Sequence, residues 1–520
     1  MTTAAVIGSG PNGLAAAVTM AAAGISVTVY EATDRMGGGA RSAELTLPGL
    51  IHDGCSSHHA FGLATEFSRT FDLSAHGLDW AFTEVEFSHP LDGGRGATAL
   101  RSVVETSRGL GDDERTYRRF FSPVASRMPT VADEFLQSLL HIPRHPFHLA
   151  TLGVRAALPA DAVARFFRTE EAKALWAGVA AHTFGPFDQP LSAAIGTSLA
   201  SAAHYFGWPV AIGGSGAITE AMASLLHHLG GRIETSRRID DVRDLGAPDV
   251  LMLDTGPAEA KRIAGARLGW WARTALGRWR DGPAAFKVAL AVDGGIPWTH
   301  EPSRRAGTVH LGGTYAEVAT AEREVSRGRM PDRPFVLVAQ QHLADPGRGQ
   351  GTIVPIDAYA HVPQGFAGDA TESILAQLER FAPGTRERIL GVTSRGTSAI
   401  ESLNPNFVGG DILTGRKDPL QLVLGPSPGI DPYRLRPRGA DEGIYLCSAA
   451  TPPGPGAHGM CGFLGAKRAI ADLGGHTTLG DCAAGSTSPA NGADSVTNPN
   501  TSTGDGSATS VSAPQRTITE

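Results

Sequence analysis

The chain has 520 residues, 42% of them hydrophobic, and a formal net charge of -7. That length buries a large core and predicts two or more domains, while the acidic balance argues against non-specific nucleic-acid binding, which needs a basic face. The four cysteines, Cys55, Cys447, Cys461 and Cys482, are too far apart in sequence for a redox pair or a zinc knuckle, and their sparse use fits a reducing cytoplasm. No run of about 18 apolar residues predicts a membrane span, and no basic segment ahead of Ala4 marks a signal peptide.

Residues 4–31 read as a βαβ unit. "AAVIG" is a short strand, "PNGLAAAVTMAAAG" an Ala-rich helix closed by Gly24, and "ISVTVYE" a second strand. Between the first strand and the helix stands "GSGPNG", with Gly8, Gly10 and Gly13 framing Pro11 and Asn12. Gly8 allows the tight turn, Gly10 lets backbone approach a pyrophosphate, and Gly13 lets helix and strand pack closely. The phosphates then meet a helix N-terminus, where free N–H groups and the dipole favour negative charge. Glu31 ends the second strand, where a carboxylate accepts ribose hydroxyls. A bare glycine turn is the bland alternative, but strand, helix, strand and acid all agree with a dinucleotide.

Residues 110–200 are helical in pattern and carry many Phe, Leu, Val and Trp. Residues 209–239 read as strand, glycine turn, helix and strand. "GGSGAI" at 213–218 lacks the third glycine, since Thr219 stands there, and is read as a turn and helix start. Residues 250–440 mix short strands such as "AAFKVALAV" and "PFVLVAQQ" with a helix at "TESILAQLERF". "GIYLCSA" is a strand entering the dense loop "TPPGPGAHGMCG". From about Gly474 the composition turns to Gly, Ser, Thr, Asn and Pro, which predicts a disordered tail over 474–520.

The run "EATDRMGGGAR" resembles the glycine run behind the acid in the FAD-dependent amine oxidase and phytoene desaturase superfamily. This chain carries an extra Gly-Ala before Arg41. "GWPVAIGGSGAITEAMASLLHHLGGRIETSRRIDDV", "GPAAFKVALAVDGGIPW", "NPNFVGGDI" and "IYLCSAATPPGPGAHGMCG" widen the likeness to about residues 1–473. Within that group the chain most resembles pyridine nucleotide-disulfide oxidoreductase domain-containing protein 2 and its bacterial relatives, although it lacks a redox cysteine pair.

The resemblance implies an α/β protein. A Rossmann-like FAD-binding domain with a discontinuous mixed sheet is expected from 1–75, 205–250 and 441–473. A helical, α+β substrate domain takes 76–204 and 251–440. The implied cofactor is FAD, held by Gly8, Gly10, Pro11, Asn12, Gly13, Glu31, Ala32, Gly38, Arg41 and Ile239. In such folds the C-terminal segment returns beside the isoalloxazine ring, which assigns Gly456, His458, Gly459 and Met460 to the cofactor. Physics supports this, because a helix starting at Gly459 or Met460 would aim free amides at negative charge on a reduced flavin.

Two residues are candidates for the chemistry. Lys287 sits in an apolar strand of an Arg-rich chain, where a Lys able to release a proton reads as a base, against a snorkelling strand-end Lys; with Pro297 and Trp298 downstream, the resemblance to the amine oxidases implies that it holds a water at the flavin. His59, within "HDGCSSHHAFG", reads as an active-site imidazole beside His58. His204 and Tyr205 are weaker candidates for the substrate side. The His spacing fits no helix face, so no metal is expected.

The expected activity is that of an FAD-dependent oxidoreductase, taking hydride from a C–H or C–N bond of a hydrophobic small molecule. Its partners include neither nucleic acid nor a membrane span, though "HIPRHPFH" at 141–148 has a lipid-headgroup reading besides that of a solvated loop. The oligomeric state stays open. Two other readings stand beside it: a lipid or protein carrier with the fold of the GDP-dissociation inhibitors, and a flavin-containing binding protein.

Overall fold

The computed structural model describes residues 1–138, 140–419, 421, 425–427, 431–437, 439–440 and 442–474. The tail expected to be disordered lies outside the described residues beyond Gly474.

Five strands form a parallel sheet in the order Gly443–Leu446, Val250–Leu253, Thr3–Ile7, Ser26–Tyr30 and Arg232–Glu234. Their short runs, such as "AAVI" and "VLML", are buried because helices cover both faces. On one face lies the helix Pro11–Ala22, buried at every position after Pro11. It packs against helices Met460–Asp472 and Gly216–His228. Its alanines allow this crowding. At Gly462 any Cβ would overlap the Asn12 carbonyl oxygen, so the two helices touch backbone to backbone.

The other face is covered by helices Pro257–Ala264 and Trp270–Gly277. Ile263, Leu268 and Leu276 join Ala5, Ile7, Leu251 and Leu446 in one apolar cluster. The boundary expected at 250 therefore falls inside the strand Val250–Leu253, and the two helices that follow pack on this sheet.

The second sheet is mixed, with seven strands in the order Ile389–Arg395, Ala284–Asp293, Ile353–Val362, Val336–Ala339, Ala306–Leu311, Val85–Pro90 and Gly96–Ala99. All pairs are antiparallel except Ala306–Leu311 with Val85–Pro90. Helices Glu114–Ala125, Met128–Phe135, Pro146–Ala156, Glu170–Ala180 and Ala193–Tyr205 form the helical layer expected over 110–200. The whole is an α/β fold with a Rossmann-like parallel sheet and a part-helical, part-sheet remainder.

Candidate cofactor and substrate site

A cavity of about 520 Å3 is lined by residues of both sheets and of the helical layer. One set of lining residues comes from the carboxyl ends of the parallel strands: Gly8–Asn12, Tyr30–Ala32, Arg237–Ile239 and Asp254–Thr255. That is where open α/β sheets hold ligands. A second set is apolar and aromatic: Phe61, Phe135, Leu136, Phe184, Ile195, Leu199, Trp208 and Leu337.

The glycine loop builds the first region. Helix Pro11–Ala22 starts with Pro at its first position, and its N-cap Gly10 has no side chain to satisfy the first-turn amides. Gly13 N–H instead donates to Asp254 Oδ2 at 2.9 Å. Gly13 does not line the cavity; a Cβ there would overlap the Gly8 carbonyl oxygen, so this glycine serves close packing. Asn12 Oδ1 and Thr255 Oγ1 belong to buried lining residues and find no hydrogen-bond partner. Buried polar atoms are rarely left so.

Glu31 is already engaged. Oε2 accepts Ser9 N–H at 3.2 Å and Ser9 Oγ–H at 2.6 Å, and Oε1 accepts Thr33 N–H at 2.9 Å and Thr33 Oγ–H at 2.8 Å. Arg41 stands 3.6 Å away. Arg41 also donates to the Met36 carbonyl at 2.9 Å and the Leu403 carbonyl at 3.3 Å, tying the glycine run at 37–39 to the second half of the chain. Ala32, Gly38, Arg41 and Ile239 all line the cavity.

Lys287 lies within strand Ala284–Asp293, only 5% exposed, and lines the cavity. It donates to the Asp53 carbonyl and stands 3.6 Å from Asp357 Oδ1. Asp357 also takes His52 Nδ1 at 3.2 Å, Asp53 N–H at 3.0 Å and Gln341 Nε2 at 2.7 Å. Burial would raise the Asp357 carboxyl, but the Lys287 ammonium, His52 and the Asp53 amide outweigh it and hold it below the usual carboxylate range. Lys287 is thus a buried, paired cation and does not snorkel.

His59 lines the cavity and bonds Ser215 Oγ through Nε2 at 3.1 Å. His58 and His182 line it too, and His58 Nε2 has no partner. Burial pushes these imidazoles down, His59 to about 4 and His58 and His182 to about 3, so all three are neutral at neutral pH.

The C-terminal loop contributes Pro453, Pro455, Gly456, Ala457 and His458 to the cavity wall. His458 Nδ1 accepts the Met460 N–H at 3.1 Å. Gly459 and Met460 do not line the cavity. A Cβ on Gly459 would come within 2.9 Å of Ala15 Cβ and 3.3 Å of Phe67, so this glycine is demanded by helix packing. His204 also stays outside: it bonds Tyr117 Oη at 2.8 Å in the helical core, while Tyr205 is exposed. Trp298 is fully buried on Gln340 Oε1 at 2.9 Å, away from the cavity. In the segment 141–148, Ile142 is 94% and Phe147 84% exposed, while His141 Nε2 bonds Glu134 at 2.7 Å. Among the described residues no cluster of His, Cys, Asp and Glu is arranged for a metal, and no helix is long and apolar enough to cross a membrane.

Two cavity residues, Asp254 and Asp357, were not singled out from the sequence, nor was Arg348, which pairs with Asp53 beside Asp357. Asp254 had a signal, an acid directly after the apolar run "VLML" at a strand-to-helix turn. Arg348 had none, since "DPGRGQG" reads as a solvated turn.

Residues 6–74 match the family model of an NAD(P)-binding Rossmann-like domain. No curated protein is similar in sequence. Among solved structures, an oxidoreductase from Methanosarcina mazei superposes with a TM-score of 0.55 at 15% identity, over 91% of this chain and 100% of that one. Putrescine oxidase bound to putrescine gives 0.53 at 16% identity, over 91% and 98% of the two chains. Cyclohexylamine oxidase from Brevibacterium oxydans gives 0.54 at 14% identity, over 91% and 98%. At such identities the likeness is one of fold.

Proposed function

We propose that the chain is an FAD-dependent oxidoreductase of the amine oxidase and phytoene desaturase superfamily, with a likeness to pyridine nucleotide-disulfide oxidoreductase domain-containing protein 2. In this reading it oxidises a C–H or C–N bond of a hydrophobic small molecule, the hydride leaving the C–H of the reacting carbon. The observation that carries the reading is one cavity joining the glycine loop to an apolar, aromatic wall. Gly8, Gly10, Pro11, Asn12, Glu31, Ala32, Gly38, Arg41 and Ile239 are the residues to hold the dinucleotide, with Gly456 and His458 at the returning loop. Asn12 Oδ1, an unpaired acceptor, and Thr255 Oγ1, an unpaired hydroxyl that can donate or accept, fit a ligand rich in hydroxyl groups. FAD supplies a two-electron acceptor. The chain supplies orientation and excludes water.

The apolar wall favours an uncharged substrate. Phe61, Phe135, Leu136, Ile195, Leu199 and Leu337 carry no charge, and the neighbouring imidazoles are neutral because they are buried. In this reading Lys287 Nζ, buried against the Asp53 carbonyl, holds a water or moves a proton, and His59, bonded to Ser215, is the second candidate.

The test is the absorbance spectrum of purified protein before and after denaturation, followed by turnover with uncharged apolar substrates and with amines. Flavin bands that survive gel filtration, with turnover, support the reading. Bound flavin without turnover supports a binding protein. A colourless protein that takes up no added FAD overturns the oxidoreductase and favours the carrier.

A further inference from the structure

Asp254 stands where strand Val250–Leu253 ends, against the first turn of helix Pro11–Ala22. Its Oδ2 accepts the Gly13 N–H at 2.9 Å, and a Cβ on Gly10 would lie 2.8 Å from the same oxygen. The residue is 7% exposed and lines the cavity. The groups that face it are the Gly10 and Gly13 amides, which favour its charge, and Glu31, an acidic neighbour that opposes it. Cys447 and Cys461 are also close, but burial drives both thiols up, so they bring no charge at neutral pH. Among the described residues no Arg, Lys or His forms an ion pair with Asp254.

A carboxylate and a diphosphate compete for one helix N-terminus. An ionised Asp254 beside a diphosphate and Glu31, away from water, is strongly disfavoured. A protonated Asp254 keeps its bond from Gly13 and gains an O–H that a phosphate oxygen can accept. Asn12, in the first turn of that helix, and Thr255, next to Asp254 in sequence, line the same cavity, and Asn12 Oδ1 and Thr255 Oγ1 have no hydrogen-bond partner.

We infer that Asp254 binds the dinucleotide as a neutral carboxylic acid, donating its hydroxyl hydrogen to a cofactor phosphate, so that cofactor binding in alkaline solution takes up a proton. The inference rests on the dinucleotide reading proposed above. Burial, reinforced by Glu31, already pushes the Asp254 carboxyl up to about 8 in the free protein. A bound diphosphate raises it further. Uptake is then small well below pH 8 and approaches one proton per cofactor above it.

The experiment is calorimetric titration of FAD into the deflavinated full-length protein, at about pH 6.5 and about pH 9, in buffers of different ionisation enthalpy. Wild-type affinity is expected to fall about tenfold per pH unit above pH 8, with close to one proton taken up. Asp254→Asn keeps an acceptor for Gly13 and a donor for phosphate without the charge, so its affinity is expected to be flat with pH and its uptake absent. The same proton uptake and pH profile in both proteins overturns the inference. If the variant does not fold, the wild-type proton count decides alone: no uptake at about pH 9 overturns it. If neither FAD nor a nicotinamide dinucleotide binds wild type at either pH, the dinucleotide reading itself falls, and the inference with it.

Discussion

Arg348 and Asp53, 295 residues apart, form a buried ion pair with Nη1 2.5 Å from Oδ2. The side chains are 1% and 0% exposed. Arg348 spends its other donors on Asp345 at 3.0 Å and the Ala211 carbonyl at 2.7 Å. Asp53 Oδ1 accepts Ser215 N–H at 2.7 Å and Ser42 Oγ–H at 2.8 Å. The backbone of Asp53 holds Lys287 on one side and Asp357 on the other. One charge network thus fixes the position of the cavity's buried lysine.

Removing one partner of this pair strands the other without water. Arg348→Met is expected to lower unfolding stability by about 3–5 kcal/mol. The double change Arg348→Met with Asp53→Asn is expected to recover much of that loss. Urea unfolding of the single and double variants measures both; equal instability of the single and double variants contradicts the coupling.

Lys287 and Asp357 give a prediction with a definite sign. Asp357 has its carboxyl held down in the fold, so its contribution is full above the unfolded value of about 3.9 and is lost as pH falls toward the folded one. Lys287→Met removes the cation, so the acid-unfolding midpoint is expected to move to higher pH. Lys287→Arg keeps the charge but cannot release a proton. Under the proposed function it is expected to fold and to lose about 10²–10⁴-fold in kcat, read by steady-state turnover.

The buried imidazoles also lose stability as pH falls, but because they are held neutral rather than charged. His59 has its pKa depressed to about 4, so it stays neutral in the fold while the unfolded chain binds a proton below about 6.5. Stability therefore falls as pH drops from about 6.5 toward 4. His59→Gln, whose amide can still reach Ser215 Oγ, is expected to remove about 1.4 kcal/mol per pH unit from that slope. Denaturant midpoints across the window test this; an unchanged slope contradicts it.

The contact of Gly462 with Asn12 links helix packing to the ligand surface. Gly462→Ala pushes a methyl group into backbone and is expected to cost about 1–3 kcal/mol or more while weakening FAD binding. Gly153→Ala is the control. It lies in the interior of helix Pro146–Ala156 with nothing within 4 Å of the added atom, and is expected to stabilise by up to about 1 kcal/mol. Thermal melts and FAD titration of the two variants give the comparison.

The glycine loop and Glu31 were legible because their chemistry is local: a strand, a turn and a helix start fall within residues 4–31. Lys287 was legible as an oddity, an apolar strand holding Lys in an Arg-rich chain. Gly456 and His458 were assigned together with Gly459 and Met460, yet the cavity wall stops at His458. A glycine at a helix start reads the same whether a ligand or another helix presses on it. Asp254 and Arg348 depend on partners 241 and 295 residues away, and no spacing rule reaches so far. The boundary at 250 was misplaced for a related reason: the strand Val250–Leu253 earns its place only by pairing with strands at the two ends of the chain.

The order in which that parallel sheet and its helices are assembled has a consequence for synthesis. The strand Thr3–Ile7 is made more than 400 residues before its second neighbour's edge partner, Gly443–Leu446, and before the helix that seats on Asn12. A nascent chain stalled before about residue 453 lacks the wall supplied by Pro453, Pro455, Gly456, Ala457 and His458 and the packing at Gly462. The binding cavity is therefore a late product of the ribosome, and its ability to take up a ligand reports that the chain has been made through to its last described helix.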